Sequence, residues 1–262
     1  MLEGHKFNPN TARASARSEA VTYDSEIAGA VQPWRVPEAA VPELPDYMKQ
    51  TYYWAYVSPR DVPLLDRDLV VSVILWGQHL RLQRAAFSEV KPGQRVLQPA
   101  SVYGSFAPNL ARHIGPEGRL EIIDITPIQV QRCREKLRAL PQASVRLADA
   151  RNPGSGRYDV VCCYFLMHEL PEDYKRQVTD AMLARLAPGG KLVFVDYHKP
   201  HWAHPLKPIT SLVFDTLEPF AKSLWRHELR DFATDADAFT WRKETYFGGL
   251  FQKVVAARKP SS

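Results

Sequence analysis

The sequence predicts an α/β domain on a mostly parallel, seven-stranded sheet, and two observations lead to this fold class. Between Arg95 and Asp196, short apolar runs that suit buried strands alternate with stretches in which apolar residues recur every three or four positions. The chain then ends in two strand-like stretches joined through Gly248-Gly249. Such alternation is typical of parallel sheets that bind ligands at the carboxyl ends of their strands, and the two last stretches predict an antiparallel hairpin.

The individual elements follow in chain order. A strand beginning at Arg95 leads through a loop at 98–104 into a helix that Gly115 ends. The later predicted strands cover residues 119–124, 144–147, 158–164, 191–196, 241–247 and 250–258. Further helices are predicted over residues 130–140 and 174–186, and over 206–224 with a bend near Pro219.

The part of the chain before the sheet divides into two segments. Residues 1–45 carry little periodic apolar pattern and five prolines, which predicts a flexible arm. Residues 46–90 are crowded with aromatic side chains and include one predicted helix at 69–87, which indicates a helical cap. Two interpretations of the cap remain open, ordinary packing against the sheet and a lid over an apolar substrate.

Two carboxylates and one loop indicate a nucleotide-like ligand. Asp124 ends a strand twenty residues after Gly104, where an acid accepts hydrogen bonds from ribose hydroxyls, and Asp149 follows the next strand. In the usual loop of this kind, an acid and three alternating glycines stand where this chain has Gln98, Ala100, Val102 and Gly104. The loss of glycine restricts how closely the backbone approaches a ligand.

Several motifs together resemble a known family. Asp124, Asp149 and residues 158–161, 166–171 and 187–192 are similar to class I S-adenosylmethionine (SAM)-dependent methyltransferases, particularly those acting on quinones. Residues 96–104, 124–130, 196–200 and 247–252 look like the methyltransferase-like rhodoquinone biosynthesis proteins, and roughly residues 50–258 are covered.

The resemblance implies a Rossmann-like class I methyltransferase fold, with residues 91–258 as the SAM-binding catalytic domain. Members of that family use SAM as an amino donor, and replace a methoxy group of ubiquinone by an amine with the help of a divalent metal, typically manganese. The residues expected to contact SAM are Gln98, Ala100, Val102, Tyr103, Gly104, Asp124, Ile125, Asp149, Ala150 and Tyr164.

Three residues are predicted to act in catalysis. A carboxylate near the SAM ammonium would keep it protonated, whereas the neutral amide of Gln98 lowers the amine pKa and favours the nucleophilic form. His168 and Glu169 follow a buried strand and are candidates for the base that takes the amine proton.

A metal site is predicted at Asp196, His198 and His204, just past the carboxyl end of a buried strand. Carboxylate and imidazole ligands suit manganese, iron(II) or zinc. Bound to a quinone carbonyl and its methoxy neighbour, such an ion would act as a Lewis acid.

Composition limits the partners and the compartment. The net charge of +5 suits an anionic surface, but no nucleic-acid module is present, so nucleic acid is not expected. No apolar run approaches the length of a membrane span. We expect ubiquinone as substrate and a cytoplasmic protein held peripherally at an anionic inner membrane, on the matrix side in a eukaryote; the oligomeric state stays open.

Three functions fit these patterns. The first is metal-assisted amino transfer from SAM to ubiquinone. The second is conventional SAM-dependent methylation of a quinone or phenol, against which the missing glycines and Gln98 count. The third is a non-catalytic SAM-binding assembly protein of quinone synthesis, against which the histidines after Asp196 count.

Overall fold

A computed structural model describes residues 42–259, so the arm predicted for residues 1–45 lies almost wholly outside the described residues. The described chain contains a seven-stranded sheet. Its strands are β1 (Arg95–Gln98), β2 (Arg119–Asp124), β3 (Ala143–Leu147), β4 (Tyr158–Tyr164), β5 (Leu186–Tyr197), β6 (Phe239–Tyr246) and β7 (Phe251–Arg258).

The sheet has the order β3-β2-β1-β4-β5-β7-β6. Strands β1 to β5 run parallel, whereas β7 is antiparallel to both β5 and β6. Chain order reverses at β1, which pairs with β2 on one side and with β4 on the other. This arrangement confirms the predicted mostly parallel sheet with its antiparallel C-terminal hairpin, and it opens a crevice at the carboxyl ends of β1 and β4.

Helices cover both faces of the sheet and one of its ends. They are α1 (Asp46–Gln50), α2 (Val62–Leu65), α3 (Asp68–Ile74), α4 (His79–Phe87), α5 (Phe106–Ile114), α6 (Pro127–Leu137), α7 (Glu172–Leu183) and α8 (Lys207–Thr216), with a π-helical turn at Tyr53–Val57 and a 3-10 turn at Met167–Glu169.

The single helix predicted over residues 69–87 is wrong, because the structure has α3 and α4 with a break between them. Trp76 and Gly77 both adopt positive φ, 52° and 74°, which a continuous right-handed helix does not allow. Glycine tolerates this conformation, and the tryptophan next to it takes the strain.

Successive residues of the central strands point into two separate cores. Cys162 packs on one side of β4 and Cys163 on the other, and both thiols are free and buried, as is Cys133. Burial raises the pKa of Cys162 to about 12. A sheet covered on both faces accounts for the nearly continuous apolar run of β4.

The N-terminal cap comprises α1 to α4; several of its residues from Tyr47 to Leu75 line a cavity at the carboxyl ends of the strands, while α4 packs its buried side chains into the core. Tyr52 is fully buried, and the Tyr47 ring lies edge-on to Tyr174 and Phe220 at centroid distances of 5.1 and 6.0 Å. Among residues 42–259, none of the helices combines the length and the apolar character that a membrane span requires.

Candidate active site

A cavity lies between the cap and the carboxyl ends of the strands. The sheet side is formed by the loop after β1, by Asp124 and Ile125 after β2, by Asp149 and Ala150 after β3, and by Tyr164. The cap contributes mostly apolar and aromatic side chains, namely Tyr47, Met48, Trp54, Ala55, Tyr56, Leu65, Val71, Ile74 and Leu75. The crevice therefore opens where ligands bind in open α/β sheets.

Gln98 lies beneath the loop and does not line the cavity. Its side chain is fully buried, and Nε2 donates to the carbonyl oxygen of Ala100 over 2.7 Å. Its Oε1 atom has no partner among the described residues. Gln98 therefore shapes the loop and leaves one buried acceptor open, whereas we had predicted a catalytic contact.

The other loop residues divide into two groups. Ala100, Val102 and Tyr103 line the cavity, whereas Gly104 lies outside it and holds the loop against the cap. The Gly104 amide donates to Asp66 Oδ1 over 2.8 Å, and a β-carbon on Gly104 would lie 2.5 Å from Asp68 Oδ1. With φ at 72°, this position needs glycine for both its conformation and its space.

Asp66 is the centre of this attachment. Besides Gly104, its carboxylate accepts from Arg132 and Lys136 of α6, at 3.1 and 2.9 Å. Lys136 Nζ also donates to the carbonyl oxygens of Val102 and Gly104. The cap, the loop and α6 are thus joined by one buried charge network in place of a glycine-rich turn.

Asp124 lines the cavity and fixes the loop at the same time. One oxygen accepts from the Ser101 amide at 3.0 Å, and the other from the amide and hydroxyl of Thr126, both at 2.8 Å. Burial raises the pKa of Asp124, and these hydrogen bonds offset part of that rise, so that the pKa is about 6. Asp149, by contrast, lies in an ion pair of 2.7 Å with Arg151, whose guanidinium covers the Tyr174 ring at 4.2 Å.

A chain of ionisable side chains leads from the core into the cavity. Asp196, at the end of β5, is buried and accepts from the backbone amide of Met167 and from Nδ1 of His168, at 2.8 and 2.9 Å. Burial alone lowers the pKa of His168, but the charge of Asp196 and this hydrogen bond outweigh it and raise the pKa to about 9. The other ring nitrogen, Nε2, lies 3.7 Å from Oε1 of Glu169.

Two glutamates line the cavity close enough to act on the charge of this histidine, Glu169 and Glu218. Tyr56 donates a hydrogen bond to Glu169, and Tyr52 donates one of 2.8 Å to Glu218. Burial raises the pKa of both carboxyl groups, and the positive charge of His168 lowers it in part. A group with a raised carboxyl pKa next to a cationic imidazole is suited to exchange protons near neutral pH.

The sequence did not reveal Glu218 or the tyrosines bound to the glutamates. Glu218 follows α8 beside Pro219, where the pattern indicated only a bend, and nothing in its spacing points toward His168. Tyr52 and Tyr56 belonged to an aromatic stretch interpreted as packing or a lid. Phe165 is a further cavity residue that we did not predict, and its positive φ of 49° at the end of β4 is the kind of strain that collects at functional sites.

The structure does not bring the three predicted metal ligands together. Asp196 is used by His168 and the backbone, His198 Nδ1 bonds to the Gly249 carbonyl oxygen at 2.9 Å, and His204 Nδ1 accepts from the Leu206 amide. Within the described part of the chain, no group of three or more His, Cys, Asp or Glu side chains is arranged to hold a metal. These residues do not fit the implied manganese centre.

Residues 96–190, from β1 into β5, match the model of a methyltransferase domain family. This part of the chain is therefore similar to a methyltransferase domain. This match and the strand order support SAM as a ligand of the chain.

Curated relatives of the chain are named as C-methyltransferases of ubiquinone and menaquinone biosynthesis. The chain is 28% identical over 189 residues to the ubiquinone/menaquinone biosynthesis C-methyltransferase UbiE of Ectopseudomonas mendocina, covering 68% of each chain. It is 30% identical over 179 residues to the protein of that name from Laribacter hongkongensis, covering 65% of each. Across the relatives that it matches, the chain spans between 52% and 68% of their length.

Solved structures share the fold of the methyltransferase domain. The N-methyltransferase NodS from Bradyrhizobium japonicum in complex with S-adenosyl-L-homocysteine has a TM-score of 0.50 at 15% identity, covering 78% of this chain and 94% of its own. A possible exported protein from Bordetella parapertussis has a TM-score of 0.56 at 20% identity, covering 78% and 74%.

Proposed function

We propose that this chain is a SAM-dependent transferase that modifies the ring of a quinone or its hydroquinone. The observation that carries the proposal is the set of Asp196, His168 and Glu169, a buried proton-accepting chain that ends in a largely aromatic cavity. Ionisable groups with shifted pKa values in such a cavity are typical of catalytic sites, which favours an enzyme over a non-catalytic assembly protein.

The residues have distinct tasks in this proposal. Asp196 holds His168 protonated and in one orientation through the bond at Nδ1, so that Nε2 faces Glu169 and the cavity. Glu169 takes the proton that the ring hydroxyl or the attacking amine gives up, and His168 stabilises the resulting charges. Asp124 and the loop around Ser101 hold SAM, which supplies either an electrophilic methyl group or an amino nitrogen.

Methyl transfer to a ring carbon is the candidate that the relatives favour. Both curated relatives reported above are C-methyltransferases of ubiquinone and menaquinone biosynthesis. Removal of a proton from a ring hydroxyl raises the electron density at the neighbouring carbon, which attacks the methyl group of SAM as the bond from that methyl group to sulfur breaks. S-adenosylhomocysteine leaves, and the methylated ring carbon loses its own proton to restore the aromatic hydroquinone. The same Glu169 serves this reaction, because it needs one general base and no change of redox state.

Amino transfer in rhodoquinone biosynthesis is a second candidate, and the loop after β1 favours it. Gln98 places a neutral amide beneath the loop, where related loops carry an acid, and it does not line the cavity. The site therefore lacks the negative charge of that acid, which would stabilise an ammonium group through the loop, so the free amine is more accessible. In this route the SAM nitrogen bonds to the ring carbon, Glu169 takes the ammonium proton, and the methoxy group takes up a proton and leaves as methanol. The ring-bound amine then loses its Cα proton and becomes an imine of the SAM carbon as the quinone is reduced to the hydroquinone, and water hydrolyses that imine to an amino-hydroquinone and a 2-oxo acid.

One labelling experiment tests the proposal and separates its two forms. The purified chain is incubated with ubiquinone or its demethylated precursor and with SAM that carries a heavy isotope either in the methyl group or at the amino nitrogen. Mass spectrometry of the quinone would show the label from the methyl group for methylation and from the nitrogen for amino transfer. An unlabelled quinone in every combination, with SAM bound, would contradict the proposed transferase.

A further inference from the structure

The exposed large apolar side chains are unevenly distributed. Among residues 42–259, they lie in two stretches, 53–80 and 202–217, while the central strands and α5 to α7 between them contribute none. Scattered apolar residues are normal on a protein surface, but a concentration of them indicates an interaction site.

The first stretch contains a cluster of exposed apolar residues on α3, at the break after it and near the start of α4. Leu69 and Val73 are 76% and 69% exposed and lie four positions apart on α3, so they share one side of that helix, which has no buried residue at all. Trp76, at the break, and Leu80, on α4, are 37% and 50% exposed. We call Leu69, Val73, Ile74, Trp76 and Leu80 the α3–α4 face.

This face continues into the mouth of the cavity. Ile74 and Trp54 are 46% and 41% exposed, and both also line the cavity. Val71 and Leu75, on the other side of α3, form part of the cavity wall. One short helix therefore separates the apolar outer surface from the apolar interior of the site.

The polar surroundings of the face suit an anionic partner. Arg67, Arg81 and Arg84 are exposed on the same helical segment. The acids of this segment are largely engaged elsewhere, since Asp66 pairs with Arg132 and Lys136, and Asp68 bonds to Ser105. Aromatic side chains at the water boundary combined with exposed arginines are typical of surfaces that bind lipid headgroups and acyl chains.

We propose that the α3–α4 face docks on an anionic lipid bilayer and turns the cavity mouth toward the acyl chains. A ring substrate with a long apolar tail then enters without exposing that tail to water; this last step rests on the proposed function, whereas docking does not. Tyr47 and Tyr56 of the aromatic stretch line the cavity and take no part in this face.

Flotation of the full chain with vesicles tests the docking without any activity measurement. In phosphatidylcholine vesicles that contain phosphatidylserine, the triple variant Leu69→Ser, Val73→Ser, Leu80→Ser should lower the partition coefficient by at least about tenfold, because three exposed apolar side chains no longer enter the bilayer. High salt should weaken the association of the unchanged protein. None of the three residues lines the cavity.

A control variant removes two exposed apolar side chains from the second stretch. Ile209→Ser with Leu212→Ser, 48% and 64% exposed in the unchanged chain, should leave vesicle association within about twofold. Equal losses in both variants, or no association of the unchanged protein, would overturn the proposal. A dimer that dissociates in the α3–α4 variant, with no vesicle binding, would assign the face to a second copy.

The test also separates docking from the proposed function. The α3–α4 variant should keep its rate on a water-soluble, short-tailed quinone and lose most of its rate on a long-tailed quinone in vesicles. Vesicle binding without turnover of either quinone would refute the transferase and leave docking intact.

Discussion

At the scale of single residues, the site depends on how burial and hydrogen bonds distribute protons. Asp196 and His168 form a fixed pair, while Glu169 lies between the imidazole and a tyrosine of the cap. The sequence predicts Asp196 as a metal ligand at the carboxyl end of a strand, and the residue does lie at the end of β5. The bond to His168 could not be predicted, because it requires the turn after β4 to fold back onto β5.

The first prediction concerns Glu169 as the base. Glu169→Gln should lower kcat by about a hundredfold or more, since the amide cannot take a proton. In the unchanged chain the rate should rise with pH through a pKa well above that of an ordinary glutamate, because burial favours the protonated form and only the ionised form is a base. Steady-state rates across pH measure both effects.

The matched control is Glu172→Gln, an exposed carboxylate at the start of α7. It should change neither the rate nor the pH profile. If the Glu169 variant kept the same rise with pH, another group would be the base.

The second prediction concerns Asp124 and SAM. Asp124→Ala removes a cavity carboxylate together with the bonds to Ser101 and Thr126, so the dissociation constant for SAM should rise by about tenfold or more. Calorimetric titration with SAM measures it, and Asp173→Ala on the exposed start of α7 is the control. Undiminished affinity in the Asp124 variant would place SAM elsewhere.

At the scale of elements, the loop after β1 is held by the cap and not by its own glycines. Of the glycine positions of the usual loop, only Gly104 is retained, and there the amide contacts Asp66 and the α-carbon lies against Asp68. The sequence identified the altered loop but not its partners, because Asp66 and Asp68 lie more than thirty residues earlier, in a segment without a recognisable motif.

The third prediction uses two glycines of similar conformation. Gly93→Ala has φ of 80° and nothing within 4 Å of the new β-carbon, so it should cost about 1–2 kcal/mol of unfolding free energy. Gly104→Ala, with φ of 72°, should cost about 1 kcal/mol more, because Asp68 must give up its bonds to Ser105. The change in the unfolded chain is the same in both variants and cancels.

Urea unfolding of the two variants measures the difference. Equal losses of unfolding free energy in the two variants would mean that the contact between Gly104 and Asp68 of the cap adds no cost. A further loss of SAM affinity in Gly104→Ala alone would show that the cap also sets the shape of the ligand site.

The fourth prediction concerns Lys175, which joins two elements of the site. This lysine of α7 is fully buried, and Nζ donates to the carbonyl oxygens of Leu170 and Phe220, so it ties the segment after Glu169 to the segment after Glu218. Burial lowers the pKa of Lys175 to about 8. Between that value and the ordinary value of 10.5, the unfolded chain binds more protons than the folded one, so this group makes stability rise with pH.

Lys175→Met should therefore lower stability at every pH, and its stability curve should lack that rise between pH 8 and 10.5. Comparing the two proteins removes the contributions of His168 and the tyrosines, which titrate in both. Parallel curves for the two proteins would mean that Lys175 keeps an ordinary pKa in the fold.

At the scale of the whole molecule, the sequence predicted the sheet well because its information is periodic and local. Strand alternation, the acid after β2 and the final hairpin are all visible as patterns along the chain. The break at Trp76 and the separation of His198 from His204 depend on contacts with distant residues, and spacing carries no information on those. Sequence proximity suggested a metal centre that the fold does not assemble.

The three buried cysteines have a practical consequence. Cys162 and Cys163 lie on the central strand β4 and Cys133 on α6, all inaccessible, so an alkylating reagent can reach them only when the sheet domain opens. The rate of thiol modification then measures the rate or the extent of unfolding. Cys162 and Cys163 should be modified together, because they become accessible in the same cooperative unfolding event. A ligand that binds only the folded chain lowers the rate of thiol modification in proportion to its occupancy. The affinity for SAM can therefore be measured without knowing the reaction.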